Sequence, residues 1–241
     1  MGHRDLADYA SHRTDQKGLT LEQLSRRTTA AGQVSLGRLL YYFLKRVVDI
    51  VGGSLLLVLF SPLILTIALA IWLDDGVPIV YRCQRLGRYG QPITVFKFRT
   101  MRDGSHKHLE ELLTVDEERR LEYGVNRKLR NDPRRTRIGG FLRRASLDEL
   151  PQLWNVVRGE MSLIGPRPYF ADELRGRPET IEVLSVRPGI TGLWQVSGRS
   201  DRTFEERLAL EVDYVRRRGF GLDVDILLRT VTAVISGRGA Y

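Results

Sequence analysis

SLLLVLFSPLILTIALAIWL, residues 54–73, runs for twenty positions without a charge. At 1.5 Å per residue a helix of that length spans about 30 Å, the hydrocarbon thickness of a bilayer. It is apolar on every face, which suits lipid better than the core of a small domain. Pro62, directly after Ser61, sits near its middle. A proline there removes a backbone donor and crowds the preceding turn, so a kink is expected. Lys45 and Arg46 precede the segment, and Arg82, Arg85 and Arg88 follow it. Basic residues on both flanks favour both ends in the cytoplasm. A hairpin that enters and leaves one leaflet satisfies that preference and a straight span does not; on these residues alone both geometries stay open.

The composition around this segment sets the class. The chain has 241 residues, 42% hydrophobic and 28% charged, enough for one domain or a domain with an appendage. Its net charge of +9 points to an anionic partner: nucleic acid, acidic lipid or a phosphorylated substrate. A lone cysteine, Cys83, excludes an intrachain disulfide framework. With four scattered histidines a zinc site is not expected, and any metal should be a hard ion held by carboxylates and phosphates.

Outward from the membrane segment, residues 38–50 (RLLYYFLKRVVDI) read as a basic amphipathic lead-in suited to a membrane interface. Residues 1–37 read as a polar extension with a short helix over Leu21–Arg27. On the other side, Ile93–Arg99 alternates like a strand, with Val95, Lys97 and Arg99 on one face and Phe96 and Phe98 on the other. Residues 105–130 are charged and helix-prone, and Asn131-Asp132-Pro133 is a turn signal. Leu150, Leu153, Trp154 and Val157 follow helical spacing, with Gly159 placed to cap the end. Thr203–Arg217 reads as a charged helix. Asp223–Ser236 reads as a helix with Val224, Leu227, Leu228, Val231, Val234 and Ile235 on its apolar side. Together these predict an α+β, helix-rich fold.

Chemistry concentrates at Ser146-Leu147-Asp148-Glu149, just before Pro151. Ser-x-x-Glu matches a capping box, a structural reading. Pro151 argues for a helix start nearer Asp148, since proline is tolerated only in the first turn. Two adjacent carboxylates in a basic protein also suit Mg²⁺, which keeps waters and bridges substrate phosphates. Arg130, Arg134, Arg135, Arg137, Arg143 and Arg144 crowd just ahead of them, with Lys97, Arg99, Arg167, Arg187 and Arg199 elsewhere. Such a run fits a solvated face or anionic headgroups. Arg167 differs, because Pro166 and Pro168 limit its backbone and can aim it at a ligand. A phosphate-binding G-x-x-x-x-G-K-[ST] loop and a G-x-S-x-G elbow are both missing from the sequence.

KRVVDIVGG…SP at 45–62, FKFRTM at 96–101, SLDELPQLWNVVRGEMSLIGPRP at 146–168 and RPGITGLWQVSGR at 187–199 together resemble the bacterial sugar transferase family, the monotopic phosphoglycosyl transferases that start glycan assembly on undecaprenyl phosphate. The resemblance covers roughly residues 44–241. It is strongest to members that begin exopolysaccharides with galactose 1-phosphate, down to the Gly-Ala-Tyr ending. It implies a re-entrant helix at 44–76 broken at Ser61-Pro62 and a small globular catalytic domain at 77–241 on the cytoplasmic face of the inner membrane, with interfacial amphipathic helices; residues 1–43 match no motif of the family and are left as a polar extension whose role stays open. It implies that Asp148 is the nucleophile and that Glu149 helps hold Mg²⁺. The implied reaction takes UDP-hexose and undecaprenyl phosphate to undecaprenyl-diphospho-hexose and UMP. Lys97, Arg143 and Arg167 match basic positions of the family and are expected at phosphates, with Arg199 a further candidate. Arg99 is expected to support the site or to pair with a carboxylate.

Two other readings compete. A non-catalytic membrane scaffold of a glycan assembly complex would not need the intact Asp148–Glu149 pair. A nucleic-acid-binding protein would explain the charge but not residues 54–73, and the sequence holds no aromatic-basic platform or recognition module. Membrane lipids are therefore expected partners and nucleic acid is not. The identity of the hexose and any homo-oligomer stay open.

Overall fold

The computed structural model describes residues 36–102, 104–126, 129, 131–198 and 202–236. The expected helix at Leu21–Arg27, the Gly-Ala-Tyr ending, Arg130 and Arg199 lie outside the described residues.

The apolar segment belongs to one long helix, α1, Leu36–Asp75. It takes in the amphipathic lead-in, so the helix begins ahead of the expected boundary at residue 44. Its 40 residues extend over about 60 Å. It is long and apolar enough to cross a membrane, and only 11% of its most apolar stretch is buried. Helical structure continues through Pro62, so the proline does not end the helix. Its missing N–H would have served the carbonyl of Val58; the Ser61 hydroxyl donates to that carbonyl at 2.8 Å instead. Thr66 Oγ1 donates to Pro62 O at 2.9 Å on the far side.

Strands β1 (Val80–Leu86) and β2 (Pro92–Phe98) form an antiparallel hairpin in which Tyr81 pairs with Lys97 and Cys83 with Val95. Both faces of β2 are covered. Val95 joins a core with Leu153, Val156 and Met161, while Phe98 packs with Leu142 and with Ile67 and Ile71 of α1. A charged helical excursion follows as α2 (Ser105–Val115) and α3 (Glu117–Asn126). Next come α4 (Arg137–Arg144), a 3₁₀ turn at Leu147–Glu149, and α5 (Gln152–Arg158). Gly159 closes α5 at φ 88, the left-handed cap expected of it. Strands β3 (Ser162–Ile164) and β4 (Gly189–Thr191) pair in parallel, with α6 (Thr180–Val183) between them. The described chain ends with α7 (Phe204–Arg217) and α8 (Phe220–Ser236), and α7 opens on a full capping box between Thr203 and Glu206. The architecture is helix-rich α+β.

Two apolar faces found by spacing are left partly open. Trp154 is half exposed, because the short α5 turns Leu153 and Val156 inward instead. On α8 the inward residues are Asp223 and Ile226, which leaves Val224, Leu228, Val231 and Ile235 more than half exposed. That apolar surface adds to the exposed row Leu55, Val58, Leu59, Leu65, Leu69 and Leu73 on α1.

The globular part grips α1 at both ends. Lys45 Nζ and the Tyr41 hydroxyl donate to Asp223 Oδ2 of α8 at 3.1 and 3.0 Å. Asp49 Oδ1 accepts from Ser162 Oγ and Leu163 N, both at 2.9 Å. Arg46 donates to the carbonyls of Val156 and Val157, the open end of α5. Lys45 and Arg46, read from sequence as residues for the membrane flank, are thus turned onto the globular part. At the other end Arg99 is buried; it pairs with the Asp75 carboxylate at 3.2 Å and donates to the carbonyls of Gly76 and Val77. This is the carboxylate pairing expected of it, and it caps the negative end of α1.

Candidate active site

The approach of α4 to the end of β2 builds the site. Thr136 caps α4 by accepting from Gly139 N, and its own N–H bonds to Thr100 O. At Gly139 any Cβ would lie 2.1 Å from Thr100 O, so only glycine lets the helix sit this close. Arg143, one turn on, then donates from Nε to Thr100 Oγ1 at 3.0 Å. After α4 the chain reverses through Ser146, a non-glycine residue at φ 56. That sparsely populated conformation throws Leu147–Glu149 into a tight turn beneath α4. Ser146 makes no side-chain cap, so the capping-box reading of Ser-x-x-Glu fails here. Pro151 stands just ahead of α5, where its missing N–H costs nothing.

Asp148 is buried in this turn. Burial pushes its carboxyl up to about 6, and the neighbouring Glu149 charge adds to that rise. Lys97 and Arg143 act in the opposite direction and draw it back toward the charged form. Lys97 Nζ reaches Glu149 Oε1 at 2.6 Å. Four of the residues singled out from sequence, Lys97, Arg143, Asp148 and Glu149, are therefore one cluster.

Asn155 holds that cluster's two walls together, and sequence reading passed it over. Fully buried on α5, it accepts from Phe96 N at 3.1 Å and donates to Thr94 O at 2.7 Å and to Glu160 at 2.6 Å. It fixes β2, which carries Lys97, against the helix that follows Glu149. A polar residue in the middle of the apolar run Leu153–Val157 was the available signal.

Arg167 stands in a different set of contacts. Its Nη2 lies 3.3 Å from Glu173 Oε1, its guanidinium is over the ring of Tyr169, and its N–H donates to Glu211 Oε1 at 2.7 Å. The crowd of arginines before Asp148 also disperses. Arg134 forms a bidentate pair with Asp132 at the expected turn, and Arg135 donates to Leu129 O. Arg187 donates to Gly159 O at 2.8 Å.

A buried carboxylate, Asp148, beside the partly exposed Glu149 and within the field of Lys97 and Arg143 is what the geometry offers, and the comparison with known proteins gives the family. The family model for bacterial sugar transferases matches residues 40–237. The chain belongs to the bacterial sugar transferase family. An uncharacterized sugar transferase of Haemophilus influenzae is 46% identical over 208 residues, covering 86% of this chain and 44% of that protein. The exopolysaccharide production protein ExoY of Rhizobium meliloti is 43% identical over 198 residues, covering 82% of this chain and 88% of that protein. The undecaprenyl-phosphate galactose phosphotransferase of Salmonella typhimurium is 44% identical over 200 residues, covering 83% of this chain and 42% of that protein. This sugar transferase chain thus spans less than half the length of two of these relatives and most of the third.

Proposed function

We propose that the chain transfers hexose 1-phosphate, galactose 1-phosphate by preference, from a UDP-sugar to undecaprenyl phosphate at the membrane surface and releases UMP. The observation that carries this reading is Asp148, a buried carboxylate flanked by Lys97 and Arg143 and adjacent to Glu149. The name of the Salmonella relative supports galactose and undecaprenyl phosphate, and that of ExoY supports a place in exopolysaccharide production.

In this reading an Asp148 carboxylate oxygen attacks the β-phosphorus of the UDP-sugar. The phosphorus–oxygen bond to UMP breaks and UMP leaves with the electron pair, giving an aspartyl phosphosugar. A phosphate oxygen of undecaprenyl phosphate then attacks the same phosphorus and returns Asp148 as the carboxylate. Lys97 and Arg143 reduce the repulsion between the anionic attacking group and the anionic phosphorus centre. Arg167 is assigned to a substrate phosphate, and so is Arg199.

Among the described residues there is no group of three or more His, Cys, Asp or Glu that could hold a metal by themselves. Asp148 and Glu149 offer two carboxylates, which fits Mg²⁺ completing its shell with waters and substrate phosphates. Glu149 would hold the ion, which when bound would neutralise diphosphate charge.

The topology proposed is monotopic, with α1 as a re-entrant element and residues 77–241 in the cytoplasm. Asp49 and Asp75 are both bonded to the same globular part, although 26 positions, about 39 Å of helix, separate them. A span across the bilayer would carry one of these contacts through the hydrocarbon. The exposed apolar faces of α1 and α8 suit the lipid side. UMP release from UDP-galactose and UDP-glucose, each with and without undecaprenyl phosphate, tests the whole reading. No release from either sugar would favour the scaffold.

A further inference from the structure

Glu211 on α7 is fully buried and has no part in the chemistry above. It sits among Leu208, Val212 and Val215 on the inward face of an otherwise charged helix. A carboxyl in that setting is costly unless it is neutral or firmly bonded. Its Oε1 accepts the N–H of Arg167 at 2.7 Å, and its Oε2 is buried without a hydrogen-bond partner.

The acceptor end of this bond has a particular target. Pro166 and Pro168 have no N–H, so Arg167 carries the only backbone donor in the Pro166–Pro168 segment. Glu211 therefore holds the segment by its one available donor. From that anchor the Arg167 side chain runs over Tyr169, which is 2% exposed, to Glu173. Root and tip are fixed by different carboxyls.

We propose that Glu211 is a positioning residue that sets the direction of the Arg167 guanidinium toward the anionic substrate. This rests on the assignment of Arg167 to a substrate phosphate. Burial pushes the Glu211 carboxyl up to about 8, so at neutral pH it is mostly the uncharged acid and needs no counter-ion. The charged and titratable groups facing it are Arg167 and Tyr169 on the loop after β3, with Arg207 one turn back on α7 and Glu173 beyond Tyr169. Once ionised, Glu211 attracts the Arg167 guanidinium toward itself and away from the substrate.

The test uses the full chain in detergent or lipid and measures kcat and KM for the UDP-sugar in Glu211→Gln, Glu211→Leu, Arg167→Ala and the double variant Glu211→Leu/Arg167→Ala. Glutamine keeps the acceptor and should stay within about threefold of the parent at pH 7. Leucine keeps the volume without the acceptor and should cost on the order of 10-fold or more in kcat/KM. The double variant should be no worse than Arg167→Ala alone, because both changes remove one function. The parent should lose kcat/KM above pH 8 and Glu211→Gln should not; this pH comparison needs no disruptive variant. Additive losses in the double variant, or the same alkaline loss in Glu211→Gln, would overturn the positioning role while leaving Arg167 in place. Unimpaired Arg167→Ala would overturn the phosphate assignment and the positioning role together.

Discussion

Lys97 Nζ and Glu149 Oε1 lie 2.6 Å apart, joined across 52 positions of sequence. Their side chains are 28% and 33% exposed, so water screens the pair and its direct contribution to stability is small. Its effect is geometric. It ties the end of β2 to the turn that carries Asp148 and sets a cation beside two carboxylates.

Under the proposed function Lys97 has two separable jobs, holding Glu149, which the geometry shows, and neutralising a phosphate, which is proposed. Lys97→Ala should lower turnover by roughly 10- to 150-fold, the worth of one charge-assisted contact. In a Glu149→Gln background the same change should still cost several-fold, because the phosphate contact remains to be lost. No further loss in that background would leave Lys97 with the Glu149 contact alone.

The grip on both ends of α1 gives a topological expectation. Cysteines introduced at Leu36 and at Glu117, both exposed, should react with an impermeant reagent from the same side of sealed vesicles, while buried Cys83 stays unlabelled. Labelling from opposite sides would contradict the monotopic arrangement. Asp49→Ala should destabilise by about 1–3 kcal/mol, because Ser162 Oγ and the Leu163 N–H lose their acceptor. A fall in the thermal midpoint of the solubilised protein would report it.

Glu211 also predicts a pH dependence of stability. Its folded carboxyl titrates near 8 and its ordinary value is 4.5, so between those values the native state keeps a proton that the unfolded chain has released. Stability from this group therefore falls as pH rises through that window, by on the order of 5 kcal/mol once complete. Glu211→Gln removes the slope. Chemical denaturation at pH 5 and pH 9 should show the glutamine variant gaining on the parent at the higher pH. A gap that does not widen would mean that Glu211 is ionised in the native state at neutral pH.

Much of the fold was legible where a pattern is local. The apolar run, the β2 alternation, the Gly159 cap and the Thr203 start of α7 are each set by neighbours in sequence. The Asp148–Glu149 pair announced itself by composition and by Pro151. What escaped were contacts made between distant segments. Asp49 and Arg46 looked like part of a membrane flank, yet their partners lie more than 100 positions away on β3 and α5. Asn155 and Glu211 are single polar residues on apolar helix faces, and their partners on β2 and at Arg167 come only with the tertiary fold. The apolar side of α8 was legible as a stripe but its exposure was not, because periodicity shows a face without showing what covers it.

Two-step transfer through Asp148 is tested most directly by the protein's own mass. The chain is given UDP-galactose without lipid acceptor, quenched in acid, and examined intact and as peptides. A hexose-phosphate adduct should appear on the peptide containing Asp148, vanish on addition of undecaprenyl phosphate, and never form in Asp148→Asn. An adduct on another residue, or UMP release that begins only when the lipid is present and leaves no adduct, would contradict it.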